Sequence, residues 1–251
     1  MGKSSLIDAV RLWHGTHGSG EGFYWDDTYH QKSGDAFAGE AQMLEVEFTE
    51  AVPQDAQKKL VYARSAYRHE PDFSTTSIQQ TGDLLDAQRV RRMIDPEGKV
   101  SDNYQRLISA TLNDLYLTDD GAATVASIRE KHIGKVRDAM SKLFPELVLQ
   151  GPGNPLGGGT FFFRKAGQPA FHYKNLSGGE KAAFDLILDL VIKGAVFDNT
   201  VFFIDEPELH LNTRVQGSLL DVLLELVPSE GQLWIATHAI GIMRRAQEMT
   251  D

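Results

Sequence analysis

Gly2, Lys3 and Ser4 stand at the head of a helical pattern that continues through residues 5–10. They match the tail of the spacing G-x-x-x-x-G-K-[ST]. There a glycine lets backbone approach phosphate, a lysine reaches its oxygens and a hydroxyl joins a divalent cation. Far along the chain, Leu176-Ser177-Gly178-Gly179-Glu180-Lys181 opens another helix. A Ser-Gly-Gly turn at a helix start offers free N–H groups, a hydroxyl and the positive end of the helix to an anion. The apolar run Val201-Phe202-Phe203-Ile204 then ends in Asp205 and Glu206. A buried strand ending in two carboxylates can set one on Mg²⁺ and the other on a water. Gln232-Leu233-Trp234-Ile235-Ala236 reads as a further buried strand, with Thr237 and His238 at its end. Charged phosphates to neutralise, a water to align and a base for its proton are what phosphoanhydride hydrolysis requires.

Each piece alone has a plainer explanation. Glycine before a helix is ordinary punctuation, Asp-Glu after a strand can be a solvated strand end, and a single histidine is more often structural. Order and strand–loop–helix context give the set its weight.

The elements that must hold these groups form an ATPase-like head split by a helical middle: residues 1–75, 76–150 and 151–251. In the first piece, His14 to Gly20 reads as a glycine-rich loop with loop histidines at 14 and 17, since nothing nearby completes a metal site. Met43-Leu44-Glu45-Val46-Glu47-Phe48 alternates like a half-buried strand, and Lys59-Leu60-Val61-Tyr62-Ala63 is a second strand. From about Thr76 to Phe144 the pattern is helical. Val125, Ile128, His132, Val136, Met140 and Leu143 recur at three- and four-residue steps, and Pro145 ends the run. The basic residues Arg129, Lys131, Lys135 and Arg137 read as a solvated face rather than a nucleic-acid contact. Gly151 to Gly159 is expected as a linker or mobile loop. The strand Thr160-Phe161-Phe162-Phe163-Arg164 and its hairpin partner Ala170-Phe171-His172-Tyr173 then lead to the Ser-Gly-Gly turn.

The 251 residues are enough for a sizeable hydrophobic core. The chain has no cysteine, which excludes disulfides and thiolate metal sites and suits a reducing cytoplasm. No apolar run is long enough for a membrane span. A net charge of −10 argues against a chain coated in nucleic acid, although a local basic groove is compatible with it.

Taken together, these stretches resemble the phosphate loop, signature motif, Walker B strand and switch histidine of ATP-binding-cassette (ABC) type ATPases. The resemblance implies an α/β fold: an ABC-type P-loop ATPase head, a mixed sheet with flanking helices, carrying a helical middle insertion. ATP and Mg²⁺ are the implied ligands. Gly2, Lys3, Ser4 and Ser5 would hold the phosphates, Ser4 and Asp205 would hold the metal, and Glu206 would polarise the attacking water. His238 would sense the γ-phosphate. Ser177, Gly178, Gly179 and Glu180 would close on ATP held by a second subunit, making ATP the glue of a homodimer or higher homo-oligomer. The first glycine of the loop and the strand before it are not in the chain. That strand is expected beside Val201–Asp205, and the parent protein is expected to be longer at both ends.

Asp205-Glu206-Pro207-Glu208-Leu209-His210-Leu211 and, further upstream, Arg64 to Phe73 are similar to the overcoming-lysogenisation-defect (OLD) family and related AAA-type ATPases of bacterial anti-phage systems. This resemblance implies a sensor or scaffold ATPase acting with a nuclease (Toprim-type) effector, fused or separate, with DNA a possible partner and no membrane. Gln31 and Gln42 are candidates for the glutamine that links nucleotide to conformational change, and Asn212 stands near the place of a common aspartate. Three rival readings stay open. They are a DNA-repair or recombination ATPase of the RecF/SMC type, a transporter cassette, and a nucleotide-binding scaffold that does not hydrolyse.

Overall fold

The computed structural model describes residues 3–20, 26, 29, 46–48, 51–68, 70–75, 77–87, 89–95, 100–117 and 124–250. In chain order the elements are α1 (Lys3–His17), a single turn α2 (Gln54–Gln57), β1 (Val61–Arg64), α3 (Asp102–Leu117), α4 (Val125–Leu143), β2 (Leu147–Pro152), β3 (Phe161–Lys165), β4 (Phe171–His172), α5 (Gly178–Gly194), β5 (Val201–Asp205), α6 (Gln216–Leu226), β6 (Gln232–Ala236) and α7 (Ile240–Glu248). Short 3₁₀ turns lie at Tyr173–Asn175 and Thr213–Val215. Gln31, Gln42 and most of the strand expected from Met43 lie outside the described residues; Val46, Glu47 and Phe48 are not in a strand.

The fold is mixed α/β. One sheet is parallel, in the order β1-β5-β6, and the other is an antiparallel β2-β3-β4 meander. The unbroken apolar run of β5 is what a strand covered on both faces requires. Phe202 and Ile204 enter the large core with α5 and α6, while Phe203 packs with Ile7 of α1 and Ala236 of β6 in a smaller one. Both edges of β5 are taken, by β1 and β6. This corrects the expectation that the strand leading into a phosphate loop pairs with it. β6 is also less covered than expected: Gln232 and Trp234 are exposed, and Leu233 and Ile235 are half-buried.

Helix α1 runs through His17, so the expected loop at His14 is instead the last helical turn. His14 is fully buried, its Nε2 2.8 Å from the Gln57 carbonyl and its Nδ1 3.3 Å from Arg89. The helical pattern expected from Thr76 begins only at Asp102. Among the described residues, 77–95 are turns and irregular chain, where Gly82 and the Asp83 side chain bonding Leu85 N favour turns. Helix α4 matches its spacing. Thr124 and Ser127 form a capping box, and Ile128, Val136, Met140 and Leu143 are buried. Val125 is exposed, and His132 turns to Asp114 of α3 at 2.9 Å. Arg129, Lys131 and Lys135 are exposed, and Arg137 donates to the Leu149 carbonyl. The expected linker at Gly151 is partly β2, which bulges between Leu149 and Gly151.

The core holds α5 against both sheets. Phe184 makes edge-to-face contacts with Phe161 and Phe163 of β3 at centroid distances of 4.9 and 5.0 Å. Arg64, at the end of β1, pairs with Asp185 at 2.8 Å and Asp189 at 2.6 Å on α5. Asp189 also accepts from Tyr62 and from Asn103, the latter at 2.9 Å. All three charged groups are almost fully buried. Such a group is costly unless its partners are complete, so the network allows only one register of α5 on β1.

Candidate functional site

The C-terminal ends of parallel strands gather the predicted groups. Ser4, in the first turn of α1, donates its hydroxyl to Asp205 Oδ2 at 3.0 Å across 201 residues of sequence. Asp205 ends β5 and is buried. Burial raises its carboxyl above the usual range, and the negative charges of Glu206 and Asp8 push the same way against Ser4 and Arg68. Asp8 is itself buried one turn along α1, bonded to Met93 N at 2.7 Å and to the Tyr29 hydroxyl. A half-buried hydroxyl beside a buried carboxylate, with surplus negative charge, suits a hard divalent cation that also takes oxygens from phosphate and water. Among the described residues no group of three or more His, Asp or Glu forms a full protein cage. Mg²⁺ bound with phosphate needs only one or two protein oxygens, so Ser4 and Asp205 fit it.

Glu206 follows at φ 45°, the left-handed region that side-chain-bearing residues rarely adopt. Two contacts hold it there. Its N–H donates to the Ala236 carbonyl at 2.8 Å, and Arg68 donates to both the Asp205 carbonyl, at 3.0 Å, and the Glu206 carbonyl. The chain then turns tightly, Leu209 N bonding the Glu206 carbonyl at 3.1 Å and Leu211 N the Glu208 carbonyl at 2.8 Å. This turn aims Glu208 at the next loop. Its Oε1 accepts from the Thr237 hydroxyl at 2.6 Å, His238 N at 3.1 Å and Ala239 N at 3.0 Å. His238 lies in the exposed loop after β6, so Glu208 ties its backbone to the carboxylate turn. Neither Arg68 nor Glu208 was singled out as a site residue by motif; both act through partners remote in sequence.

The remaining predicted residues divide. Gly2 lies outside the described residues, Lys3 opens α1, and Ser5 is exposed. Ser177 is the N-cap of α5 and forms a capping box with Glu180. Glu180 is buried and pairs with Lys165 at 2.8 Å. Burial works to raise its carboxyl, but Lys165 and Ser177 hold it below the usual range. Its carboxylate is thus committed to the helix start. Ser177 and Gly178 face solvent. Gly179 is where the chain needs glycine for packing: an added Cβ would sit 2.8 Å from the His210 carbonyl. The structure therefore brings Ser4, Asp205, Glu206 and the His238 loop together, and leaves the Ser177–Gly178 edge open.

The family described as "AAA domain, putative AbiEii toxin, Type IV TA system" matches residues 1–244. The chain belongs to this family. It is an AAA-type ATPase domain. The domain is also similar to the DNA double-strand break repair Rad50 ATPase of Saccharolobus solfataricus, at 36% identity over 73 residues, 29% of this chain. It spans only 8% of that protein's length. Similar solved structures include an SmcHead bound to the C-winged helix domain of ScpA (24% identity, TM-score 0.38, covering 48% of this chain and 38% of that one). Another is from a study of ATP-driven dimerization and DNA-stimulated activation of SMC ATPases (22% identity, TM-score 0.36, covering 46% and 74%). A third is an Smc head with an extended coiled coil, bound to the C-terminal domain of ScpA derived from Pyrococcus furiosus (22% identity, TM-score 0.35, covering 48% and 34%). Among the described residues, no helix of the domain is long and apolar enough to cross a membrane.

Proposed function

We propose that the domain binds and hydrolyses ATP with Mg²⁺ and that two copies close on the nucleotide. The observation that carries this reading is the 3.0 Å contact between Ser4 and Asp205, beside a strained Glu206 and the anchored His238 loop. When bound, Mg²⁺ would neutralise phosphate charge between Ser4 and Asp205. Gly2, Lys3, Ser4 and Ser5 cradle the phosphates from the start of α1. Glu206 accepts the proton of the attacking water, and His238 reads the γ-phosphate. Ser177, Gly178 and the N-terminus of α5 meet the nucleotide of a second copy, with Gly179 and Glu180 shaping that helix start. Residues 1–75 and 151–251 supply the two halves of the head and 76–150 its helical insertion.

Two settings suit such a head. Similarity to the Rad50 ATPase over 73 residues favours a DNA-associated ATPase of the repair or recombination type. The AbiEii description of the family, with the Glu206-Pro207-Glu208 turn, favours a defence ATPase that controls a nuclease effector. Glu206→Gln with ATP and Mg²⁺ should give a stable dimer in sedimentation velocity, with hydrolysis lowered by 10²-fold or more, on the order expected for losing a general base. Monomers under those conditions would end the dimer reading. Turnover that rises on adding duplex DNA to the purified domain supports the DNA setting; turnover indifferent to DNA supports the effector setting.

A further inference from the structure

A cavity of about 60 Å³ opens where β1, the start of α3 and the last turns of α5 meet, and its lining includes Arg64, Arg89, Asp102, Arg106, Asp189 and Lys193. Lys193 is only 9% exposed. A lysine this buried ordinarily pairs closely with a carboxylate. Asp189, one helical turn back on α5, keeps its Oδ1 3.7 Å away, beyond hydrogen-bond distance. That carboxylate is already engaged: Arg64 pairs with it at 2.6 Å, and Tyr62 and Asn103 donate to it. From α3, the half-buried Arg106 donates to the Gly82 carbonyl at 2.7 Å and, among the described residues, pairs with no carboxylate. Two cations thus line one small space without a hydrogen-bonded counter-charge.

Charge and volume constrain what fills that space. The lining carries four cations, Arg64, Arg89, Arg106 and Lys193, against two carboxylates, Asp102 and Asp189. Even with Asp185, which pairs with Arg64 at 2.8 Å, positive charge is in excess. Asp102 stands in the first turn of α3, where its charge answers the positive end of that helix. Burial holds the Lys193 pKa below its usual value; Asp189 opposes the shift, and Arg106 and Arg64 add to it. The volume equals about two waters at roughly 30 Å³ each, room for one small oxyanion and too little for a nucleoside phosphate. Water there would complete hydrogen bonds but leave the charge unanswered. A tetrahedral oxyanion does both, since ammonium and guanidinium groups only donate and its oxygens only need to accept.

We propose that this cavity is an anion site that takes a free, doubly charged oxyanion of phosphate size between Lys193 and Arg106. It is separate from the proposed nucleotide site. Lys193 lies sixteen residues along α5 from Ser177, about 24 Å at the helical rise, and none of Ser4, Asp205 and Ser177 lines the cavity. Binding there does not rest on the proposed ATP chemistry. The ion would tie α5 to α3 and, through Arg106, to the irregular chain at Gly82.

Inorganic phosphate and sulfate are the probes, titrated into the nucleotide-free chain in chloride of matched ionic strength. Both ions stabilise folded proteins nonspecifically, so the readout is saturable heat in isothermal titration rather than melting temperature. At least one should bind with a Kd of about 1 mM or tighter. Lys193→Met, which keeps the stem and removes the charge, should weaken binding about tenfold or more, and Arg106→Gln about fivefold. If Lys193→Met does not fold, Arg106→Gln decides. Lys3→Ala, at the phosphate loop, should leave this binding unchanged while lowering ATP affinity. Glycerol phosphate should bind about tenfold more weakly than the free ion, because the cavity has no room for the ester. Absence of saturable binding up to about 10 mM would overturn the proposal, as would cavity variants that bind like the parent. Loss of binding in Lys3→Ala would assign the ion to the nucleotide site, and equal binding of glycerol phosphate would overturn the assignment to a free ion.

Discussion

Glu206 sits where a left-handed backbone costs roughly 1–2 kcal/mol, and Arg68 with the Ala236 carbonyl holds it there. The same turn delivers Glu208 to three donors on the His238 loop. Glu208→Ala releases that loop without touching the cation pair. The expected result is ATP turnover lowered about tenfold, with ATP affinity changed less than about threefold, because a freed His238 is misplaced in the transition state more than in the bound state. Steady-state hydrolysis and equilibrium binding on the same variant measure both; equal losses in each would assign Glu208 to binding instead. Asp205 and Glu206 stood out in the sequence because they end an apolar run in strand–loop–helix order with the other motifs. Glu208 and Arg68 did not. Their partners lie 29 to 31 and 137 to 138 residues away, and no local pattern carries that information.

The elements were legible where one period dominated. β5 reads as a doubly covered strand and is one, and α4 keeps its apolar positions, apart from Val125, which is exposed in its capped first turn. α1 outran its expected end because the tertiary site around His14 outweighs the glycine-rich sequence that follows. That site has a pH signature. Burial holds the His14 pKa down at about 3 instead of 6.5, opposed by the Gln57 carbonyl and helped by Arg89 and Arg11. A depressed folded pKa means that stability is complete above pH 6.5 and is lost as pH falls toward 3. At pH 4.5 the loss from this residue is about 3 kcal/mol. Urea unfolding at pH 7.5 and 4.5 should show His14→Gln less stable than the parent at pH 7.5, with a smaller drop on acidification. Parallel drops would rule His14 out as the source. At the start of α5, Ser177→Ala removes one arm of the capping box and should cost about 1 kcal/mol of unfolding free energy. Ser177→Thr, which keeps the hydroxyl, should cost much less.

For the whole molecule, the mixed α/β class was legible in the sequence but the strand order was not. Pairing partners depend on which apolar faces meet, and β6 on the far side of β5 left no edge for the strand that had been expected there. Charge supplies a test at this scale. Each copy carries a net charge of −10 before any nucleotide binds. Two such bodies repel over roughly a Debye length, about 14 Å at 50 mM salt and about 6 Å at 300 mM. If ATP joins them through Ser177 and Gly178, salt should screen the repulsion and tighten the dimer. Contact with nucleic acid through exposed cations such as Arg129, Lys131 and Lys135 would release counterions and weaken with salt. The two associations therefore have salt slopes of opposite sign. Sedimentation of Glu206→Gln with ATP between these salt concentrations should show the dimer constant strengthening about two- to fivefold, an effect Ser177→Arg should abolish by blocking the interface. A dimer that weakens steeply with salt would mean that opposite charges, not the nucleotide-bridged face of two acidic heads, hold the copies together.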